Sequence, residues 1–206
     1  MNLPPREQRP VGRPPGPHDD TLAKIIPSAL ELLLAEGSAA LTPTRLNKAT
    51  GVARATIYRN WPQPASLIEI MLERAMAETE LPAPSDNPRA DLEMAMELVI
   101  DRLGRPSVRA LISACMEHGH RSASMATART GFLHSVLEPL NSALARTEIG
   151  EATTAGVDPV DAQWALLTEL AGPIVLEVLV MGRTVAPGSA RAVVEQFLQH
   201  HETRRR

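Results

Sequence analysis

Proline recurs in this chain at the positions where helices begin, and that spacing constrains the fold more than any other feature. Proline has no amide hydrogen and holds φ at about −65°, so it suits the first helical turn and disrupts a helix further in. Pro43, Pro64, Pro88, Pro106, Pro159 and Pro187 each open a stretch suited to a helix. The spacing predicts helices near 43–50, 64–79, 88–103, 106–118, 159–183 and 187–201, with one more over 122–147 that starts without proline near Ser122–Ser124. Aromatic residues make up only 2% of the chain, so the core must be built from Leu, Ile, Val, Met and Ala. That composition favours helices over a β-sandwich or barrel, and the expected fold class is all-α. A single cysteine excludes an intramolecular disulfide framework and suits a reducing compartment. No run of about 18 apolar residues is present, and the first twenty residues lack the apolar stretch of a secretory signal. A cytoplasmic protein with no membrane segment is expected.

The net charge of −3 conceals an asymmetry. Residues 1–62 hold eight lysines and arginines against five acids, a net of +3, while residues 63–206 carry a net of −6. A basic leading third joined to an acidic remainder suggests that the first part meets a polyanion. Residues 1–17 hold six prolines and almost nothing apolar, which predicts an extended Pro/Arg-rich arm. Leu81–Pro88 is the clearest linker in the body of the chain. Three regions are expected: the arm at 1–17, a first helical domain at 18–80, and a second at 81–206.

In the first helical domain, Leu22, Ile25, Ile26, Ala29, Leu30 and Leu33 mark a helix that stops at Gly37. Pro27 either kinks this helix or delays its regular start. Thr42 then caps a helix from Pro43 to Thr50, Gly51 supplies a positive-φ turn, and a second short helix covers Arg54 to Asn60. Leu46, Ala49, Val52 and Ile57 are placed to pack the pair at a steep angle. Arg54, Ala55, Thr56, Tyr58 and Arg59 then remain for the outward side and ends of the second helix. Two short helices about a Gly turn describe a helix-turn-helix, whose second helix enters the DNA major groove. A purely structural helical hairpin has the same outline.

The stretch Leu41–Pro62, with its Gly-Val turn, Thr-Ile-Tyr run and Trp-Pro end, resembles the DNA-binding signature of the tetracycline-repressor (TetR) family of bacterial transcription regulators. The resemblance extends from about Ala23 to Leu72. A weaker one, from Leu170 to Gly182, resembles the penultimate helix of many members. It implies a three-helix DNA-binding domain followed by a helical bundle for ligand binding and dimerisation, and no catalytic role. It also implies that Thr44 and Arg45 touch the groove edge, that Arg54, Ala55 and Thr56 face bases, and that Tyr58 and Arg59 hold phosphates. Trp61 would pack at the end of the reading helix. The chain departs from the family pattern at Ala53, where Ser is usual, and at Gln63-Pro64, where Ser-Lys is frequent. In the arm, Gly12-Arg13-Pro14 resembles the core of an AT-hook, in which Arg13 would enter a narrow A·T minor groove.

Residues 88–201 contain no nucleophile–base motif, phosphate loop or His-Glu-x-x-His, so no enzyme is expected. Cys115, His118 and His120 fall short of the four ligands a structural zinc needs, and neither metal nor cofactor is expected. Met94, Met96, Leu98, Leu111, Met116, Met125, Phe132, Leu133, Val136 and Trp164 suggest a bundle interior, either solid or holding a cavity for a small apolar ligand. Of these, Leu98, Met116, Phe132 and Trp164 are the candidate ligand contacts. The helix from Pro159 is apolar on more than one face, which argues for a subunit contact. Leu167, Ala171, Ile174 and Val178, with Val194, Phe197 and Leu198 from the last helix, are the candidate dimer interface. A two-fold dimer would set two reading helices about one DNA turn apart and call for a palindromic operator on double-stranded DNA.

Overall fold

A computed structural model of the chain describes residues 17–77, 83–118, 123–153, 159–186 and 188–204. The chain is all-α: α1 (Pro17–Glu36), a 3₁₀ turn (Ser38–Ala40), α2 (Pro43–Thr50), α3 (Arg54–Asn60), α4 (Pro64–Ala77), α5 (Pro88–Gly104), α6 (Pro106–His118), α7 (Ala123–Leu144), α8 (Glu148–Thr153), α9 (Pro159–Val175) and α10 (Ser189–Arg204). The proline rule holds at Pro43, Pro64, Pro88, Pro106 and Pro159, each the first residue of its helix. Pro187 lies outside the described residues, and α10 begins just beyond it at Ser189. Helix α7 is shorter than the expected 122–147, because its chain turns at Ala145–Thr147 and starts α8, a helix that periodicity did not reveal.

Helix α1 runs through Pro27 without the delayed start that the sequence allowed. The reason is position. Pro27 is exposed, so the carbonyl left without a partner one turn earlier, at exposed Ala23, can bond water. The opposite side of the helix buries Leu22, Ile25, Ala29 and Leu33. Two further prolines, Pro139 in α7 and Pro173 in α9, also stand inside helices.

One contiguous apolar core links all of this, from Ile25, Leu46 and Ile57 through Ile68, Leu72 and Met96 to Leu140, Leu170 and Val194. Helix α7 lies at its centre, packed on α4 and α5, while α10 packs on α5. Ser38 Oγ donates to Glu117 Oε2 at 2.5 Å, tying the 3₁₀ turn to the end of α6. Met94 and Met116 depart from the expected interior: both are more than half exposed, on the outward sides of α5 and α6. Met96 and Cys115, on the inward sides of the same helices, take the buried places instead.

Helix α9 continues into a wider π turn over Leu176–Val180. Among the described residues, Ala162–Val180 is the one helical stretch with the length and composition to cross a membrane, with a mean hydropathy of 1.4. It carries Glu169 and Glu177, and about a third of it is buried within the chain, at Leu166, Leu167, Leu170, Ala171, Ile174 and Val178.

The segment before α5 is held by a buried carboxylate. Asp91 accepts from the Ser85 amide at 3.0 Å, from Ser85 Oγ at 2.6 Å and from Arg146 Nη2 at 2.9 Å. The Ser85 hydroxyl and amide, with Arg146 beyond them, hold the Asp91 carboxyl below its ordinary value. A depressed folded pKa means that the stabilisation is present above the unfolded carboxylate value of about 4 and is lost as pH falls through the folded one. Asp91→Asn is therefore expected to lower the melting temperature at pH 7. The gap to wild type should close as the pH is lowered through and below about 4. Melting curves followed by circular dichroism from pH 7 to pH 2 check this, and a gap that stays constant would count against it.

Candidate nucleic-acid interface

The α2–turn–α3 unit is built from local interactions that its residues dictate. Thr42 adopts an extended conformation and its carbonyl receives the Leu46 amide at 3.0 Å, opening α2 behind Pro43. Gly51 closes α2 at φ 73°, in the left-handed region that costs other residues roughly 1–2 kcal/mol. Its amide reaches the Asn47 carbonyl at 2.8 Å. Asn47 Nδ2 then donates across the turn to the Val52 carbonyl at 2.9 Å, and Thr50 Oγ1 receives the Val52 amide at 3.2 Å. Leu46 and Ile57 are fully buried and Val52 half-buried, which sets the two helices against α1. Ala49, expected in that contact, is exposed.

With the inward positions taken, the outward ones follow. Thr44, Arg45 and Lys48 of α2 and Arg54, Ala55, Tyr58 and Arg59 of α3 are exposed, and Thr56 is half-buried. Tyr58 is 65% exposed, whereas Trp61, three residues on, is in the core. A large aromatic ring left in water on a helix that also exposes Arg54 and Arg59 is what a surface awaiting a partner presents. Lys48 was not singled out in the sequence; its place four residues after Thr44, on an exposed side of α2, is the signal that finds it. Asn47 was missed too, and its role is to fix the turn and meet Arg54, whose Nε lies 3.5 Å from Asn47 Oδ1.

Two features temper this surface. Arg45 makes a two-pronged ion pair with Glu36 at the end of α1. The hydrogen bond from Arg45 holds the Glu36 carboxyl below its ordinary value, and Glu36 in turn raises Arg45. Both groups are solvent-exposed, so the pair is weak and screened by salt, and a phosphate can displace the carboxylate. Ala53 occupies the cap position of α3 with φ −57° and ψ 134° and offers no side-chain acceptor to the free amides beyond it. Ala53→Ser is expected to add about 1 kcal/mol. In a chain of this length that is a rise of about 2–4 °C in Tm, measurable by calorimetry.

The arm containing Arg13 lies outside the described residues. Of the candidate ligand contacts, Phe132 lines a cavity of about 280 Å³ enclosed by α1, α4, the α5–α6 corner and α7. The other three are elsewhere. Leu98 is half-buried away from that cavity, Met116 is exposed, and Trp164 packs edge-on against His134 of α7 with ring centres 4.4 Å apart. The cavity instead brings together Ile26, Leu30, Met71, Arg74 and Arg102, which no single helix pattern joins.

The candidate dimer residues Leu167, Ala171, Ile174, Val178, Val194 and Phe197 are buried within the chain itself, and Leu198 is half-buried. Through these side chains α9 and α10 pack on their own bundle. Among the described residues, Pro173 of α9, Leu176 and Val180 of the π turn and Met181 just past it are the large apolar side chains left in water there. Cys115 is buried, and its thiol is pushed up to about 11 by that burial, against a small opposing effect of Arg129. It therefore stays protonated near neutral pH. Cys115 and His118 share the buried side of α6, His120 lies outside the described residues, and no group of three metal-binding side chains occurs among the described ones.

No protein-family model matches the chain, and no curated protein is significantly similar to it in sequence. Among solved structures, it is similar to a TetR transcriptional regulator from Agrobacterium tumefaciens, with a TM-score of 0.65 at 17% identity over 87% of this chain and 93% of that one. A TetR-family transcriptional regulator from Mesorhizobium loti superposes with a TM-score of 0.59 at 14% identity, over 90% of this chain and 98% of the other. A further TetR-family transcription regulator gives 0.56 at 24% identity, over 86% and 96%. At such identities the likeness is one of architecture, and it spans nearly the whole of each partner. The chain has the all-helical fold of the TetR-family transcriptional regulators.

Proposed function

We propose that this chain is a TetR-family transcriptional regulator: a cytoplasmic, homodimeric, ligand-responsive DNA-binding protein that acts as a repressor at a palindromic operator and has no catalytic activity. The observation that carries this reading is α3, a short helix held from behind by buried Leu46 and Ile57 with Arg54, Ala55, Tyr58 and Arg59 facing water. Residues 18–80 form the DNA-binding domain, and residues 81–206 form the ligand-binding and dimerisation domain. Arg54, Ala55 and Thr56 read bases in the major groove, while Thr44, Arg45, Lys48, Tyr58 and Arg59 meet the backbone, which positions the helix without specifying sequence. Arg13 in the arm reaches the neighbouring minor groove.

The dimer forms through α9 and α10, with Pro173, Leu176, Val180 and Met181 as the apolar contacts rather than the inward-facing residues of the same helices. Val180→Asp is expected to shift the protein from dimer to monomer while leaving it folded. Light scattering paired with circular dichroism measures both. A dimer undiminished by that charge would move the interface elsewhere. Ligand binding acts by favouring a conformation in which the two reading helices no longer match the spacing of the operator.

The decisive experiment is selection of source-genome fragments by the purified full-length protein at near-physiological salt. Recovery of one palindromic site, bound with steep salt dependence, supports the regulator. Recovery of nothing above background from a folded dimer overturns it. A second reading, a helical small-molecule-binding protein with weakened DNA recognition, draws support from the uncapped Ala53 and from the engagement of Arg45 by Glu36. Ligand binding without DNA selection would establish that one.

A further inference from the structure

We infer that the cavity beneath α1 binds an amphipathic monoanion, a carboxylate held by Arg102 and Arg74 with an apolar body of roughly ten heavy atoms. The assignment rests on the regulator reading only for the consequence of binding, since the site itself is defined by its own residues. Its walls are apolar: Ile26 and Leu30 from α1, Met71 from α4, and Leu111, Phe132 and Val136 from α6 and α7. Its charged members are all cationic. Arg74, Arg102 and Arg105 line it, with the hydroxyl-bearing Ser107 and Ser135 beside them, and none of the described residues that line it is acidic.

The three arginines differ in a way that points to the head-group position. Arg105 is exposed and its guanidinium is engaged by Asp101 at 2.7 Å, on the outer side. Arg102 is nine-tenths buried, and its Nη1 donates to the Ser135 carbonyl at 3.2 Å, which orients the guanidinium among the cavity walls. Burial, with Arg105 adding to it and Asp101 working against it, disfavours the charged form of Arg102. Arg74 is exposed on α4 and makes no hydrogen bond or ion pair with the described residues. A desolvated cation with a second cation at the rim is a site of positive potential in an apolar container. A carboxylate relieves that potential by two-pronged pairing, whereas a neutral ligand leaves it unchanged and a cation worsens it.

Size narrows the class further. An apolar cavity of roughly 150 Å³ accepts benzene. At about 280 Å³ and partly open to solvent, this one has room for the apolar body of a medium-chain or bicyclic acid. The site also touches the DNA-binding segment directly. Ile26 and Leu30 belong to α1, whose neighbouring residues Ile25 and Ala29 join the core with Leu46 and Ile57. A ligand body pressing on α1 therefore presses on the support of the reading helix.

The test uses full-length protein and decanoate, with decanol and decylamine as the neutral and cationic probes of equal chain length. Calorimetry should show decanoate binding about ten-fold or more tightly than either probe. Arg102→Gln, and the safer surface change Arg74→Gln, should each bring decanoate toward the decanol value. Ala75→Phe, which fills the cavity, should abolish binding of all three. Equal affinity for decanol, full decanoate preference in both arginine variants, or undiminished binding in Ala75→Phe would overturn the assignment. Decanoate binding by a protein that selects no DNA would refute the regulator and leave the site standing. An operator selected by a protein indifferent to decanoate would do the reverse. Where both hold, saturating decanoate should change operator affinity measurably.

Discussion

Replacing Leu46 with alanine is expected to cost about 3 kcal/mol of stability, within the range of roughly 2–5 kcal/mol for truncating a fully buried leucine. Leu46 has no exposed surface, and it lies with Ile57 and Ile25 in the wedge where α1, α2 and α3 meet. The removed methyl groups leave a void that two short helices cannot close without giving up the turn geometry set by Gly51 and Asn47. For a domain of this size the loss corresponds to a fall of about 6–12 °C in Tm. Typical stabilities are about 5–15 kcal/mol, so the variant remains folded in the cold and gives a readable transition. Lys48→Ala, two residues along on an exposed side of the same helix, is expected to change stability by no more than about 0.5 kcal/mol. If the two variants melt alike, α2 is not anchored through Leu46.

Arg54→Ala is expected to weaken binding to the selected operator by roughly 1–3 kcal/mol for each half-site and to relax the preference at one base pair in each. Arg54 is exposed at the first position of α3, with its Nε 3.5 Å from Asn47 Oδ1, and that end of the helix is the one we propose to enter the groove. Arg59→Ala supplies the contrast. As a phosphate contact it should weaken all sequences alike and reduce the salt slope by about one for each protomer. Competition binding against single-base variants at two salt concentrations separates the two outcomes. Retention of full sequence preference by Arg54→Ala would remove α3 from its reading role.

Much of the α2–turn–α3 unit was legible in the residues. Thr42-Pro43, Gly51 and the Arg54–Asn60 helix lie where the sequence places them, because caps, proline ring geometry and left-handed glycine act within a few residues. Trp61 and Tyr58 show the next level of difficulty. Both are aromatic and three positions apart, yet Tyr58 within α3 is surface, while Trp61, just past the helix end at φ −137° and ψ 73°, is core. The reading of α9 met a harder limit. A helix apolar on two sides announces two contacts, but Leu167, Ala171 and Ile174 have the same spacing whether they meet their own bundle or a second copy. Burial against α5, α7 and α10 decides that they face inward, whereas Pro173, Leu176, Val180 and Met181 are left exposed.

The cavity beside α1 shows the same division most sharply. Leu98, Met116 and Trp164 were reasonable choices from residue type, and each ended elsewhere. The residues that do line the site come from α1, α4, α5, α6 and α7, and Arg74, Arg102 and Arg105 look like ordinary surface charges in the linear chain. By itself the sequence determined where the helices begin, how the turn between α2 and α3 is made and which short helix carries the exposed cations, since those outcomes depend on bonds and sterics spanning about four residues. Only the tertiary structure decided which apolar faces were consumed by the core and which arginine was drawn out of water. Those depend on contacts between residues far apart in the chain, whose partners no local periodicity specifies.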